Sequence, residues 1–172
     1  MSVPRQRAFL ILLACAALLA AIGVIALAED REPAPSFTAK TLSGEEFTNE
    51  SLKGKVVLLQ FWATWCGYCR REQPIVDNID RRFAGQGLVV LAVNVGESRK
   101  DVTKYLEERP RACRVVLTED TNLAARFPGN GFPRYVVIDR EGYLAGTQNG
   151  AGGEGSLRRL LARAGLGIAT SD

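Results

Sequence analysis

The sequence predicts an α/β fold, a central mixed sheet flanked by helices, on three observations. Two short runs rich in Val, Leu and aromatics, Val56–Trp62 and Leu88–Val95, read as strands buried on both faces. Between and after them, apolar residues recur at a spacing near four, as on one face of a helix. Strands alternating with helices build a parallel-cored sheet, and 172 residues, 47% apolar and 24% charged, supply enough chain for one core.

The chain opens with Arg5 and Arg7, followed by an uncharged stretch from Ala8 to Ala28. As a helix that stretch spans roughly 31 Å, close to the hydrocarbon thickness of a bilayer. Ala26-Leu27-Ala28 before Glu29 also fits a small-residue cleavage site. Residues 1–28 are therefore a membrane anchor or a cleaved signal peptide; a lipid-modified Cys15 is a third route, although the apolar stretch continues well past it. Each route places the following domain outside the cytoplasm. The net charge is +3; Arg5 and Arg7 supply two of those charges, leaving about +1, and nothing points to nucleic acid.

Residues 29–36 are charged and carry Pro33 and Pro35, as a linker would. Phe37–Leu42 and Glu46–Thr48, separated by Ser43-Gly44, predict a short hairpin. Leu52–Lys55 leads into the strand Val56–Trp62. Immediately after it stands Thr64-Trp65-Cys66-Gly67-Tyr68-Cys69-Arg70, and then Ile75, Val76, Ile79 and Phe83 mark a helix. Cys66 thus sits where a strand gives way to a helix, and unpaired N–H groups and the dipole stabilise an anion there. The thiolate is the species that attacks disulfides. Cys69, three residues on, lies close enough to close a small ring and expel a substrate held on Cys66. Glu72 is three residues further and either exchanges a proton with Cys69 or is a solvated helix carboxylate. Pro74 removes one N–H and is expected to kink the helix.

Gly85-Gln86-Gly87 breaks the helix before the second buried strand. Ser98 caps a helix with Val102, Tyr105 and Leu106 on one face, ended by Pro110. Arg114–Leu117 is a third, shorter strand, and Asp120 is the expected cap of a short helix from Leu123 to Phe127. Pro133 precedes the strand Tyr135–Ile138; Asp139–Gly142 is a turn, and Tyr143–Thr147 returns antiparallel. The stretch from Gly150 to Gly155 lacks the Lys-Ser/Thr ending of a phosphate loop. Leu157, Leu160, Leu161 and Ala164 form the last helix face, stopped at Gly165.

The run from Gly54 to Cys69, followed by Glu72 and Pro74, together with Gly131-Phe132-Pro133-Arg134-Tyr135-Val136-Val137-Ile138-Asp139, resembles the TlpA/ResA-like branch of the thioredoxin superfamily, the extracytoplasmic thiol-disulfide oxidoreductases. The resemblance covers roughly Ala34 to Ala164. It implies a thioredoxin fold with an added N-terminal β-hairpin and an α/β insertion over residues 37–165, with 166–172 as a tail. It also implies that Pro133 is cis and stands beside the cysteines, so that the Phe132 backbone pairs with an extended substrate. Trp65, Gly67, Tyr68, Phe132, Pro133 and Arg134 are accordingly the candidate substrate-contacting residues. Arg134 departs from the small or hydroxyl residue usual there; it is expected either to favour the Cys66 thiolate as a nearby cation or to point to solvent.

The redox-active pair itself is the expected cofactor, with no metal: a closed zinc site needs four ligands, and beyond Cys66 and Cys69 the exported part offers no histidine and one cysteine, Cys113. The absence of histidine also excludes Ser-His-Asp and Cys-His nucleophilic sites. Trp62 and Trp65 are packing and shielding groups. Cys113 is a buried thiol or a second resolving cysteine. Relatives mostly reduce cysteine pairs of exported proteins, apocytochrome c among them, and are recharged by a membrane thiol carrier; those partners are implied by resemblance. A disulfide isomerase or oxidase using the same motif, and a redox-inactive peptide-binding module with a structural disulfide, are the alternatives.

Overall fold

The computed structural model describes residues 31–167. The expected anchor or signal at 1–28, Cys15 and the last five residues lie outside the described residues. Among the described residues no helix is long and apolar enough to cross a membrane.

Seven strands form one sheet: β1 Thr38–Thr41, β2 Glu46–Thr48, β3 Val56–Trp62, β4 Leu88–Asn94, β5 Arg114–Thr121, β6 Arg134–Ile138 and β7 Leu144–Asn149. Their order is β2-β1-β5-β4-β3-β6-β7. β3 pairs parallel with β4 and antiparallel with β6, and β4 pairs parallel with β5, so the sheet is mixed. Every residue of β3 and β4 is buried, as their uninterrupted apolar runs require of strands covered on both faces.

Four helices complete the thioredoxin-type fold: α1 Gly67–Phe83, α2 Arg99–Glu108, α3 Leu123–Arg126 and α4 Gly153–Arg163. One face of the sheet is covered by Val76, Ile79 and Phe83 of α1, Val102 of α2 and Leu157, Leu160 and Leu161 of α4. Each buried Leu of α4 contributes about 1.5–3 kcal/mol. The other face packs against Phe37, Leu52, Leu123 and Phe127. Between β4 and β6 the chain makes α2, β5 and α3, the α/β insertion of the expected fold. The hairpin β1-β2 is antiparallel and joins the sheet through β5.

Several boundaries differ from the sequence reading, three of them through partners far along the chain. The expected linker is already part of the sheet edge from Glu32, because Leu144 N–H donates to Glu32 O at 2.8 Å, Ala34 N–H donates to Gly142 O at 2.9 Å, and Pro33 bridges Tyr143. Leu166, expected in the tail, is buried in the core. β5 runs on to Thr121, since β1 pairs with Thr121 and Val116 and gives the polar half of the strand a partner. Asp120 consequently lies in a strand and meets Arg99 at 2.6 Å, and the cap position of α3 is Asn122.

Candidate active site at the start of the first helix

Cys66 is the N-cap of α1, with extended backbone angles of −75° and 105°, and its Sγ accepts the Cys69 N–H at 3.0 Å. The two cysteines are joined as a disulfide with Cα atoms 5.2 Å apart. Once that bond opens, the donated N–H and the helix dipole stabilise negative charge on Cys66 in preference to Cys69, which lies a turn inside the helix. Both cysteines are buried, whereas the flanking Trp65 and Tyr68 are 67% and 60% exposed, the large exposed apolar side chains among the described residues. In a monomer such exposure marks a contact surface. Gly67 is the first helical residue.

The second motif closes on the first. The Phe132–Pro133 peptide is cis. The Phe132 ring packs edge-on against Trp65 with centroids 5.8 Å apart, so the loop before β6 and the cysteine loop form one surface. Trp62, by contrast, is buried in the core beside Tyr105.

One expected site residue stands elsewhere than the sequence suggested, and for a second the solvated alternative falls away. Arg134 is neither at the sulfurs nor in solvent. It is buried, its guanidinium lies 4.0 Å from the Phe61 ring centre, and its Nη2 donates to the Phe127 carbonyl. Phe61 belongs to the core face opposite the one holding Cys66 and Cys69. The pleat explains this: the register pairs Arg134 with Phe61, so both point to the same side of the sheet. Glu72 is not a solvated carboxylate but buried, with both oxygens engaged. Oε1 accepts the N–H groups of Gly152 and Gly153 at 2.8 and 2.6 Å, and Oε2 accepts the Tyr135 hydroxyl. The glycine-rich stretch thus cradles an anion from within the chain. A Cβ at position 152 would stand 2.6 Å from Gln148 Nε2 and 2.8 Å from Ser156 Cβ.

From Glu72 a buried polar chain runs beneath the helix. Gln60 Nε2 donates to Tyr135 Oη at 3.3 Å, Arg111 Nη2 donates to Gln60 Oε1 at 2.9 Å, and Arg111 Nε pairs with Asp77 Oδ1 at 2.9 Å. Cys113 Sγ donates to the same Asp77 oxygen at 3.3 Å. Burial, then the bond to Glu72, pushes the Tyr135 hydroxyl above its ordinary range. Sequence reading missed Gln60, Asp77, Arg111 and Tyr135 as a group. The available signal was Gln60, an amide in an otherwise apolar buried strand, which demands a buried partner. A second carboxylate, Glu97, holds the loop in front of the cysteines: it accepts the Thr64 N–H at 2.7 Å, the Thr64 hydroxyl, and Asn94 Nδ2 at 2.6 Å.

Cys113 is a free, buried thiol, and burial pushes its pKa from 9.0 to about 12. It therefore stays protonated where Cys66 reacts. On reduced protein near pH 8, iodoacetamide is expected to label Cys66 first and Cys113 only after unfolding, as peptide mass mapping would show; early labelling of Cys113 would contradict its raised pKa. The raised pKa also has a fixed sign in stability. The unfolded chain loses the thiol proton near pH 9.0 while the folded one keeps it to about 12. This contribution is complete below pH 9 and is lost across that window. The alkaline limb of a stability-versus-pH curve should flatten in Cys113→Ala.

Among the described residues no group of three or more His, Cys, Asp or Glu is placed to hold a metal ion. The redox group present is the Cys66–Cys69 disulfide.

Comparison with known proteins agrees with this geometry. The Redoxin family matches residues 29–161. Thiol-disulfide oxidoreductase ResA of Bacillus subtilis (strain 168) is 33% identical over 117 residues, which is 68% of this chain and 65% of that protein, slightly under two thirds of its length. Thioredoxin-like protein YneN of the same strain is 32% identical over 119 residues, 67% of this chain and 69% of YneN. A crystal structure of a thiol:disulfide interchange protein, a thioredoxin family protein from Chlorobium tepidum TLS, superimposes with a TM-score of 0.68 at 30% identity, covering 78% of this chain and 96% of that one. The chain belongs to the Redoxin family, and is similar to thioredoxin-like proteins and to thiol-disulfide oxidoreductases named ResA.

Proposed function

We propose that the chain works outside the cytoplasm as a reductant of disulfides in exported proteins, apocytochrome c before haem attachment included. The observation that carries the reading is the Cys66–Cys69 pair at the start of α1, flanked by exposed Trp65 and Tyr68 and by the cis Phe132–Pro133 bond. In the reduced protein the Cys66 thiolate attacks one sulfur of a substrate disulfide; a mixed disulfide forms and the other substrate sulfur leaves as a thiolate. Cys69, deprotonated, then attacks the Cys66 sulfur, regenerating the 66–69 disulfide and releasing the second substrate thiolate. Two electrons pass to the substrate. A membrane dithiol carrier returns them, and the N-terminal segment, retained as an anchor, keeps the domain near that carrier. The Phe132 backbone offers strand-like hydrogen bonds to the bound peptide, with Trp65, Gly67 and Tyr68 around it.

Glu72 is the carboxylate one turn from Cys69 and is assigned the Cys69 proton. Its oxygens already accept three donors, so taking that proton means exchanging one of them for it.

The measurement that tests the reading is the equilibrium potential of the 66–69 pair against glutathione. A value near that of thioredoxin, about −270 mV, is the expected result; one near about −120 mV would make the protein an oxidant and overturn the reductase assignment.

A further inference from the structure

A run of positive charge lies along α1 beside the redox pair. Arg70 follows Cys69 directly, Arg81 lies near the end of the same helix, and Arg109 stands at the end of α2; all three are exposed. They line one open groove of about 320 Å³. Among the described residues none of the three makes an ion pair within 4.0 Å; Arg81 feels the Asp80 carboxylate beside it on α1. The acid on the groove wall, Asp77, is buried and committed to Arg111 at 2.9 Å. The floor is fixed as well. Gln73 Nε2 donates to the Arg109 and Pro110 carbonyls at 3.3 and 3.4 Å, and Gln73 Oε1 accepts the Tyr105 hydroxyl at 3.0 Å, which ties α1 to the end of α2. Arg70, Arg109, whose guanidinium lies 5.9 Å from the Tyr105 ring centre, and Arg81, offset in part by Asp80, leave a net positive potential around this open groove that an anionic partner relieves.

The position of the groove says which anion fits. It begins at the residue after the resolving cysteine, so a protein whose sulfur is bonded to Cys66 already lies at its mouth. The groove is open rather than enclosing, and at the small end for a small-molecule site. From Cys69 to Arg81 the helix rises roughly 18 Å, a distance covered by about six residues of extended chain. We infer that this groove receives an acidic stretch of the protein whose cysteines react at Cys66, its carboxylates within about six residues of the reactive cysteine. The inference rests on the thiol-disulfide exchange assigned above and names the class of partner for it.

The test uses reduced protein and three disulfide substrates: a peptide with Asp and Glu within six residues of its cysteines, the same peptide with Ser and Gln in their place, and a small neutral disulfide. The acidic peptide is expected to react about tenfold faster than the neutral one at low salt, through kcat/KM. That advantage should disappear between about 20 mM and about 500 mM salt, as the Debye length falls. In Arg81→Glu/Arg109→Glu, both positions exposed and remote from the sulfurs, the advantage should be lost or inverted while the small disulfide reacts at the wild-type rate; Arg81→Gln/Arg109→Gln should fall between. Equal rates for the two peptides, or a preference that survives both double variants, would overturn the groove and leave the exchange chemistry standing. Failure to reduce even the small disulfide would remove the chemistry, and the groove's role with it.

Discussion

Cys66→Ser is expected to remove disulfide reduction altogether, a loss of about a thousandfold or more, to the uncatalysed background. A serine hydroxyl is not ionised near neutral pH and cannot form the mixed disulfide, so neither the N–H donated by Cys69 nor the helix dipole has an anion to stabilise. Cys69→Ser should behave differently. Cys66 keeps its place at the N-cap and still attacks, but nothing closes the ring. The substrate stays attached, and a covalent adduct that reductant releases should accumulate on non-reducing gels. Activity retained by Cys66→Ser, or adducts formed through Cys69, would reverse the assigned order of attack.

Arg111→Met should cost about 3–5 kcal/mol of folding stability, read as a lower urea midpoint at unchanged slope. The Arg111 side chain is 2% exposed and that of Asp77 is 7%. Removing the guanidinium leaves the Asp77 carboxylate inside the protein with only the Cys113 thiol donating to it, and strips Gln60 Oε1 of its donor. An unpaired buried charge is the costly case; a pair removed together is not. Asp77→Asn/Arg111→Met should therefore recover more than half of the loss. A single-variant effect under about 1 kcal/mol would mean that solvent reaches the pair.

What the sequence revealed was whatever rests on apolar spacing or on fixed local motifs. Val56–Trp62, Leu88–Asn94 and the Leu157, Leu160, Leu161 face announce themselves because burial on one or two sides selects every residue in them. Cys66 and Cys69 were legible because their chemistry needs a fixed spacing at a helix start. The parts the sequence left open or misplaced depend on partners distant in the chain. Glu72 meets Gly152 and Gly153 some eighty residues later, and no local pattern announces it. Arg134 was read as solvent-facing or as a cation beside Cys66 because cations rarely enter a core, yet the pleat turns it onto Phe61 and a carbonyl receives its Nη2. Pairing by backbone alone, as at Glu32 and Ala34, leaves no side-chain trace at all.

The bond between Glu72 and the first turn of α4 sets an order of events during synthesis. Both cysteines leave the ribosome well before Gly152 and Gly153, so for that interval the carboxylate has none of its backbone donors and the covering helix does not exist. Completion of the Glu72 pocket thus waits on the carboxy-terminal end. A chain cut short before Gly152 would carry an intact cysteine motif on an unfinished support.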